Sequence, residues 1–215
     1  MIEICIVDDH PIFRKGLMAI LDQDQHMKVT SECSTAGEAI DLMEKKVPDF
    51  IFIDISLQGM NGIELSKYLH QNYPDLKICI LSMHDESVYA DRAIRAGAKG
   101  YIMKQEAGKK VRDAVIEISQ GKYFLNETLK DRILSLLLNP NKLSNNEDCV
   151  HSLSNREFEV FLCIGRGMGN LEIGDQLHIS PKTIETYKRN ICQKLGMQDS
   201  SSLRKFAIQW RHDNL

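Results

Sequence analysis

The chain has 215 residues, of which 43% are hydrophobic and 27% charged, an ordinary composition for a globular protein of one or two domains. No apolar run approaches the roughly 18 residues of a membrane-spanning helix, and the N-terminus lacks the basic region of a signal peptide, so we expect a cytoplasmic protein with no membrane partner. The formal net charge of −3 is uneven: residues 151–215 carry nine basic and seven acidic side chains, against 18 and 23 in residues 1–150. This difference indicates different partners for the two parts of the chain.

Residues 1–121 alternate between apolar strand patterns and amphipathic helix patterns. Strands are predicted at 2–7, 27–32, 49–54, 77–82 and 99–103, and helices near 11–22, 36–46, 62–73, 86–96 and 107–120. Five strand–helix units predict an α/β doubly wound, five-stranded parallel sheet with helices on both faces. In the flavodoxin-like strand order 2-1-3-4-5, a ligand binds beyond the carboxyl ends of the first and third strands.

Acidic residues follow both of these strands. Asp8 and Asp9 come after the first strand, and Asp54 ends the third. Ser82 and Lys104, at the ends of the fourth and fifth strands, are expected on the same edge of the sheet. Clustered carboxylates repel one another unless a cation binds, and oxygen ligands suit Mg²⁺. A carboxylate beside Mg²⁺ can attack phosphorus and form an aspartyl phosphate, and the metal and the Lys104 ammonium would neutralise charge on the transferring group.

Each of these residues, taken alone, also has a purely structural interpretation. Asp8 and Ser82 can cap the helices that follow them, and Lys104 can be a solvated surface charge. Their joint placement at the ends of four strands favours the functional interpretation.

Four segments resemble the receiver domain of two-component response regulators, over about residues 1–121: Ile6–His10, Phe52–Ile55, Ile80–Ser82 and Gly100–Lys104. The resemblance implies that a sensor histidine kinase phosphorylates Asp54. It also implies roles for the neighbouring residues: Asp8, Asp9, Asp54 and the backbone carbonyl of Ser56 bind Mg²⁺, Ser82 and Lys104 contact the phosphoryl group, and Tyr101 is an aromatic switch. The chain departs from the family at Gln58-Gly59, where Pro-Gly is common, and this departure does not touch the phosphorylation chemistry.

Two other classes of function compete with that of a phosphorylated regulator. A Mg²⁺-dependent phosphohydrolase with an aspartyl phosphate would need a second acid two residues after the nucleophile, but position 56 is serine. A receiver-like interaction protein that is never phosphorylated would not need the full set of three acids, a hydroxyl and an amine. The sequence therefore favours a regulator over an enzyme or an unphosphorylated interaction module.

The middle of the chain predicts a domain boundary. A short apolar helix is expected from Leu129 to Leu138, and residues 139–148 are polar, rich in asparagine and without aromatic residues, as in flexible linkers. We therefore expect a receiver domain at 1–121, a linker with a short helix at 122–149 and a separate domain at 150–215.

Residues 150–215 predict an all-α four-helix domain in which the second and third helices form a helix-turn-helix. The expected helices are 155–166, a short helix capped by Asn170, Pro181 to about Leu195, and Ser200 to about Arg211. Ser154 with Glu157 forms a capping box before the first helix. Ser180 followed by Pro181 is a strong start for the third.

The third helix would enter the major groove of DNA, where arginine can contact guanine, glutamate cytosine and threonine the thymine methyl group. Lysine and threonine near its start suit phosphate contacts. The candidate DNA-binding residues are Lys182, Thr183, Glu185, Thr186, Tyr187, Lys188 and Arg189. By spacing alone, the same charged face would fit an ordinary solvated surface equally well.

A second resemblance decides between these interpretations. The segments Leu153–Glu157, Gly167–Gly174, Ile179–Glu185 and Asn190–Gly196 resemble the LuxR-type helix-turn-helix, over about residues 150–212. Together the two domains resemble a NarL/FixJ-type response regulator. This implies a transcription regulator whose partners are a cognate sensor histidine kinase and double-stranded promoter DNA, and which forms a homodimer when phosphorylated. Glu185 stands where lysine is common and Tyr187 where histidine is common, so the family's usual DNA target cannot be carried over.

Overall fold

The computed structural model of the chain describes residues 1–83, 86–127, 129–131, 150 and 152–214, without the side chains of 86, 87 and 214. Two compact units are present, Met1–Ile133 and Leu134–Leu215. Most of the helix predicted from Leu129 to Leu138, and the polar segment at 139–148, lie outside the described residues. In the described part, none of the helices has the length and apolar character needed to cross a membrane.

The N-terminal unit is built on a five-stranded parallel sheet in the order β2-β1-β3-β4-β5, which confirms the predicted fold class. Its strands are β1 (Ile2–Val7), β2 (Met27–Cys33), β3 (Phe50–Asp54), β4 (Lys77–Ser82) and β5 (Gly100–Met103). Its helices are α1 (Pro11–Leu21), α2 (Ala36–Lys45), α3 (Gly62–Asn72), α4 (Glu86–Arg95) and α5 (Ala107–Ser119), with a 3₁₀ turn at Lys104–Glu106.

The central strand β3 is buried at every position. A parallel strand covered by helices on both faces needs apolar side chains throughout, and the rings of Phe50 and Phe52 lie 4.8 Å apart within this core. Asp54 is the exception to this apolar run, a carboxylate that is only 1% exposed. Its position therefore needs an electrostatic explanation.

The strand register places the acidic residues side by side. Val7 of β1 pairs with Ile53 of β3, so Asp8 and Asp54 are the next residues along two adjacent strands. On the other side of β3, Asp54 pairs with Leu81. The carboxyl ends of the central strands thus form one edge, where predicted site residues from different parts of the sequence meet.

The C-terminal unit contains four helices: α6 (Asn155–Gly165), α7 (Asn170–Leu177), α8 (Pro181–Lys194) and α9 (Ser200–Asn214). The capping box is confirmed, because the Glu157 amide donates to Ser154 Oγ and the Ser154 amide donates to Glu157 Oε2. Ser180 caps α8 by accepting from the Thr183 amide at 3.1 Å. The small core contains Trp210, whose ring packs edge-on against Phe158 at 5.8 Å.

One predicted cap is wrong. Asn170 was expected to cap α7, but Gly169 is the N-cap residue and Asn170 is the first residue of the helix. The Gly169 amide donates to Glu172 Oε2 at 2.6 Å, and glycine is only slightly less favourable at the N-cap position than residues that supply a side-chain oxygen. The Asn170 side chain is thereby left for contacts with another helix.

Candidate functional site

A buried ion-pair triad lies at the carboxyl edge of the sheet. Lys104 Nζ is 2.7 Å from Asp8 Oδ2 and 2.9 Å from Asp54 Oδ2. The side chains of Asp8 and Asp54 are 0% and 1% exposed, and that of Lys104 is 5% exposed. Burial raises the pKa of Asp54, Lys104 opposes this rise, and the neighbouring Asp8 adds to it. A single ammonium thus faces two carboxylates in a region of low dielectric constant.

The acidic cluster also presents ligand atoms that could hold a cation. Asp8, Asp9, His10 and Asp54 each present a ligand atom, all within 4.8 Å of one another. Asp8 Oδ2 and Asp54 Oδ2 share the single Lys104 ammonium, and Asp9 Oδ1 faces the His10 ring, so the carboxylates outnumber the cations beside them. A carboxylate-rich group with excess negative charge suits a hard divalent cation such as Mg²⁺. The residues present therefore fit the ion that the sequence predicts.

Two residues outside the predicted set also contact the acidic cluster. His10 Nδ1 lies 2.6 Å from Asp9 Oδ1 and 3.2 Å from Asp8 Oδ1. Arg14 donates to the backbone carbonyl of Asp8 and pairs with Glu32 at 3.0 Å. His10 directly follows the acid pair in sequence. Arg14 lies one helical turn later on α1, a spacing that returns it to the same edge.

The remaining predicted residues lie on β4, on β5 and in the loop after β3. Ser82 ends β4 and is fully buried, and Tyr101 lies in β5 and is 2% exposed. Ser56 is an exposed residue of the loop after β3, and a hydrogen bond from its backbone acts to lower the pKa of Asp54. The same edge thus carries a hydroxyl from β4, an amine after β5 and acids after β1 and at the end of β3.

Gly62 allows the loop after β3 to pack directly on the acid. A Cβ added to Gly62 would lie 1.9 Å from the backbone oxygen of Asp54, and the Gly62 amide donates to the Ile55 carbonyl at 3.0 Å. Since no side-chain atom fits into that gap, glycine is required for the start of α3 to lie against Asp54.

The second candidate site is the outer face of α8. Lys182, Thr183, Glu185, Thr186 and Arg189 are exposed, whereas Tyr187 and Lys188 are half-buried. The hydroxyl of Thr183 lies 2.7 Å from Ser180 Oγ, and that of Thr186 donates to the Lys182 carbonyl. These hydroxyls are therefore partly occupied by the helix itself.

Other helices hold α8 at two places. Asn170 contacts both Glu185 and Lys188 through its side-chain amide. At the C-terminal end, Lys194 Nζ lies 2.6 Å from Glu157 Oε2, in the capping box of α6. Neither contact is predictable from local sequence, because both join residues that are 15 or more positions apart.

Comparison with known proteins covers both units. A family model described as the response regulator receiver domain matches residues 4–116, and one described as bacterial regulatory proteins, luxR family, matches residues 151–207. The transcriptional regulatory protein DegU of Brevibacillus brevis is 32% identical over 210 residues, which cover 92% of this chain and 89% of DegU.

Solved structures of response regulators also match both units of the chain. The Salmonella typhimurium RcsB response regulator, solved in a study of conformational dynamism for DNA interaction, matches with a TM-score of 0.57 and 26% identity over 95% of this chain and 97% of RcsB. A structure of two RcsB dimers bound to two parallel DNAs matches with a TM-score of 0.57 and 27% identity, over 95% of this chain and 96% of that one.

Proposed function

The chain belongs to the two-component response regulators that join a receiver domain to a LuxR-type DNA-binding domain, and from this premise we propose which residues carry its function. It is a transcription regulator rather than an enzyme. We propose that Asp54 is the phosphoacceptor, and the observation that carries this proposal is the buried pairing of Asp54 and Asp8 with Lys104. Burying a carboxylate at the end of a strand costs free energy unless a cation is paired with it.

In this proposal Asp8, Asp9, Asp54 and the carbonyl of Ser56 hold Mg²⁺. The ion, when bound, would neutralise charge on the transferring phosphoryl group. Asp54 must be ionised to attack phosphorus, and Lys104 favours ionisation by opposing the rise in the pKa of Asp54 that burial causes. Burial at the sheet edge also keeps water away from the carboxylate.

Phosphorylation then changes the partners of the surrounding groups. The Lys104 ammonium passes from the free carboxylates to the phosphoryl oxygens, and the Ser82 hydroxyl donates to one of those oxygens. We propose that Ser82 and Tyr101 shift together, since β4 and β5 are paired neighbours with Ile80 opposite Tyr101. That shift biases a two-state surface of the receiver domain.

The partners follow from the two domains. The phosphoryl donor is a cognate sensor histidine kinase, and the output is a homodimer that binds paired half-sites in promoter DNA, about one helical turn apart. We place the domain boundary within residues 122–149, with the receiver at 1–121 and the DNA-binding domain at 150–215. Because its DNA target is there, we infer that the protein acts in the cytoplasm.

The acceptor assignment is tested with the full chain, acetyl phosphate and Mg²⁺, with intact-mass spectrometry as the measurement. The wild type is expected to gain one phosphoryl group, and Asp54→Asn none. Asp49→Asn is a matched control, because Asp49 directly precedes β3, at the end of the strand opposite Asp54. An adduct on Asp54→Asn in equal yield would refute the assignment. No adduct on the wild type would favour an unphosphorylated interaction protein.

The DNA-binding face is tested at Arg189, whose exposed guanidinium lies on α8. We propose that Arg189 contacts a base edge, together with Lys182, Thr183, Glu185, Thr186, Tyr187 and Lys188 as base or phosphate contacts. Arg189→Ala should weaken binding of the phosphorylated protein to its promoter by about 5- to 150-fold, as expected for loss of roughly 1–3 kcal/mol. Arg211→Ala, on the exposed end of α9, is the matched control. Equal affinities of the two variants would argue against α8 as the recognition helix.

A further inference from the structure

Asn170 joins the two helices of the helix-turn-helix through a single side-chain amide. Its Nδ2 donates to Glu185 Oε1, and its Oδ1 accepts from Lys188 Nζ. Glu185 and Lys188 are three residues apart on α8 and are therefore neighbours on one helix face. Since Gly169 caps α7, the Asn170 side chain is not needed at the end of its own helix.

The chemistry of the partners fixes the orientation of this amide. A carboxylate only accepts hydrogen bonds and an ammonium only donates them. Turning the Asn170 amide by half a rotation would place its oxygen against the Glu185 carboxylate and its NH₂ group against the Lys188 ammonium. The favourable arrangement thus holds the side chain of Glu185 in one orientation, with Oε1 occupied.

The second oxygen of Glu185 remains available on the exposed face of the recognition helix. Glu185 is exposed, and within the described part of the chain no hydrogen bond reaches its Oε2. A carboxylate at this position is repelled by DNA phosphates. This repulsion is weaker here because the Asn170 amide holds the Lys188 ammonium close to the Glu185 carboxylate.

Of the four base edges in the major groove, cytosine suits such an oxygen best. Cytosine presents only an N4 amine donor there, whereas guanine presents acceptors and thymine an acceptor and a methyl group. Adenine presents an N6 donor beside the N7 acceptor, and N7 repels a group that cannot donate. A glutamine at the same position would reverse this order, because its amide satisfies both adenine atoms.

We infer that Glu185 selects a cytosine in each half-site and that Asn170 is the positioning residue that orients it, an inference that rests on the proposed DNA-binding function. Asn170 acts through Glu185 and Lys188 rather than by contacting the base.

The test is the selection of DNA from a random-sequence library by the phosphorylated full-length protein, followed by sequencing. The wild type should enrich a two-fold motif with cytosine at one position of each half-site. Glu185→Gln should replace that cytosine with adenine. Asn170→Ala should lower the cytosine preference at that position by about tenfold, while its affinity for unselected DNA stays within about twofold.

Asp175→Asn is the matched control, because Asp175 is an exposed acid on α7 and its loss changes the net charge by the same amount as Glu185→Gln. It should leave the motif unchanged. If Glu185→Gln enriches the same base as the wild type, or if Asp175→Asn shifts the base as well, the inference is overturned. A wild type that enriches no sequence would overturn the proposed DNA-binding function together with the inference.

Discussion

Replacing Lys104 with methionine would remove an ammonium that two buried carboxylates share. Nζ lies 2.7 Å from Asp8 Oδ2 and 2.9 Å from Asp54 Oδ2, so each pair contributes roughly 6 kcal/mol of Coulomb attraction at an effective dielectric constant of ~20. The desolvation of the ammonium, which costs several kcal/mol, offsets much of this. We therefore expect Lys104→Met to lower the free energy of unfolding of the receiver domain by about 3–5 kcal/mol, as is typical when a buried pair loses one partner.

The destabilisation caused by Lys104→Met should depend on pH through the pKa of Asp54. Burial raises the pKa of Asp54 in the folded protein, and Lys104 opposes the rise, so removing Lys104 lets the pKa rise further. An acid whose pKa is raised by folding stabilises the folded state below its unfolded pKa, and this contribution is lost as pH rises through the folded pKa. The deficit of Lys104→Met should therefore be largest at neutral pH and shrink in acid. Added Mg²⁺ should also reduce it, by supplying positive charge to the same oxygen atoms.

Urea unfolding at pH 7 with EDTA, followed by far-UV circular dichroism, reports the helices of both units, and the transition that Trp210 fluorescence does not show is that of the receiver domain. Fluorescence of Trp210, the single tryptophan of the chain, follows the C-terminal unit as an internal reference. The matched control is Lys110→Met, which breaks an exposed pair with Glu106 that contributes about 0.5 kcal/mol or less. The electrostatic account of the triad would be refuted if Lys104→Met lowered the free energy of unfolding no more than Lys110→Met does.

Three further changes test other contacts. Gly62→Ala should abolish phosphorylation from acetyl phosphate and destabilise the receiver domain by about 1–3 kcal/mol, because its Cβ would lie 1.9 Å from the Asp54 backbone oxygen. Asp54→Asn should raise the free energy of unfolding in Mg²⁺-free buffer at neutral pH, and the gain should vanish in acid, because burial raises the pKa of the carboxyl that it replaces. Lys194→Met should destabilise the DNA-binding domain by about 1 kcal/mol at neutral pH. Burial acts to raise the pKa of Glu157, but Lys194 and Ser154 outweigh it and hold that pKa below its usual value, so the Lys194 contribution should be lost as pH falls through the folded pKa.

Each of these expectations has a result that would contradict it. Normal phosphorylation of Gly62→Ala would mean that the loop after β3 relaxes without moving Asp54. If Asp54→Asn raises the free energy of unfolding by the same amount at every pH, the charge of Asp54 is not the cause of the gain. For Lys194→Met, a deficit that persists in acid would point to lost packing of the lysine side chain rather than to the ion pair.

Local sequence was sufficient for the elements themselves. Most observed strands and helices begin and end within about two residues of the predicted limits, because apolar periodicity, Ser180-Pro181 and the Ser154–Glu157 capping box act over a few residues. The exception is α9, which continues to Asn214, three residues beyond the predicted Arg211. The alternation of strands and helices also predicted a parallel sheet, whereas the strand order, which the structure confirms, was adopted from the flavodoxin-like topology. The misplaced cap at Asn170 is instructive, since asparagine and glycine are both acceptable at that position.

The acidic edge shows where sequence and tertiary structure divide. The sequence by itself determined the chemistry of this protein: an acid at the end of a buried strand, an acid pair after another, a lysine after the last, and a helix with a charged outer face. Only the tertiary structure decided that one lysine pairs with both Asp8 and Asp54, and that Asn170 connects Glu185 to Lys188. These contacts join residues far apart in the chain. Their geometry depends on strand register and helix packing, which no local pattern specifies.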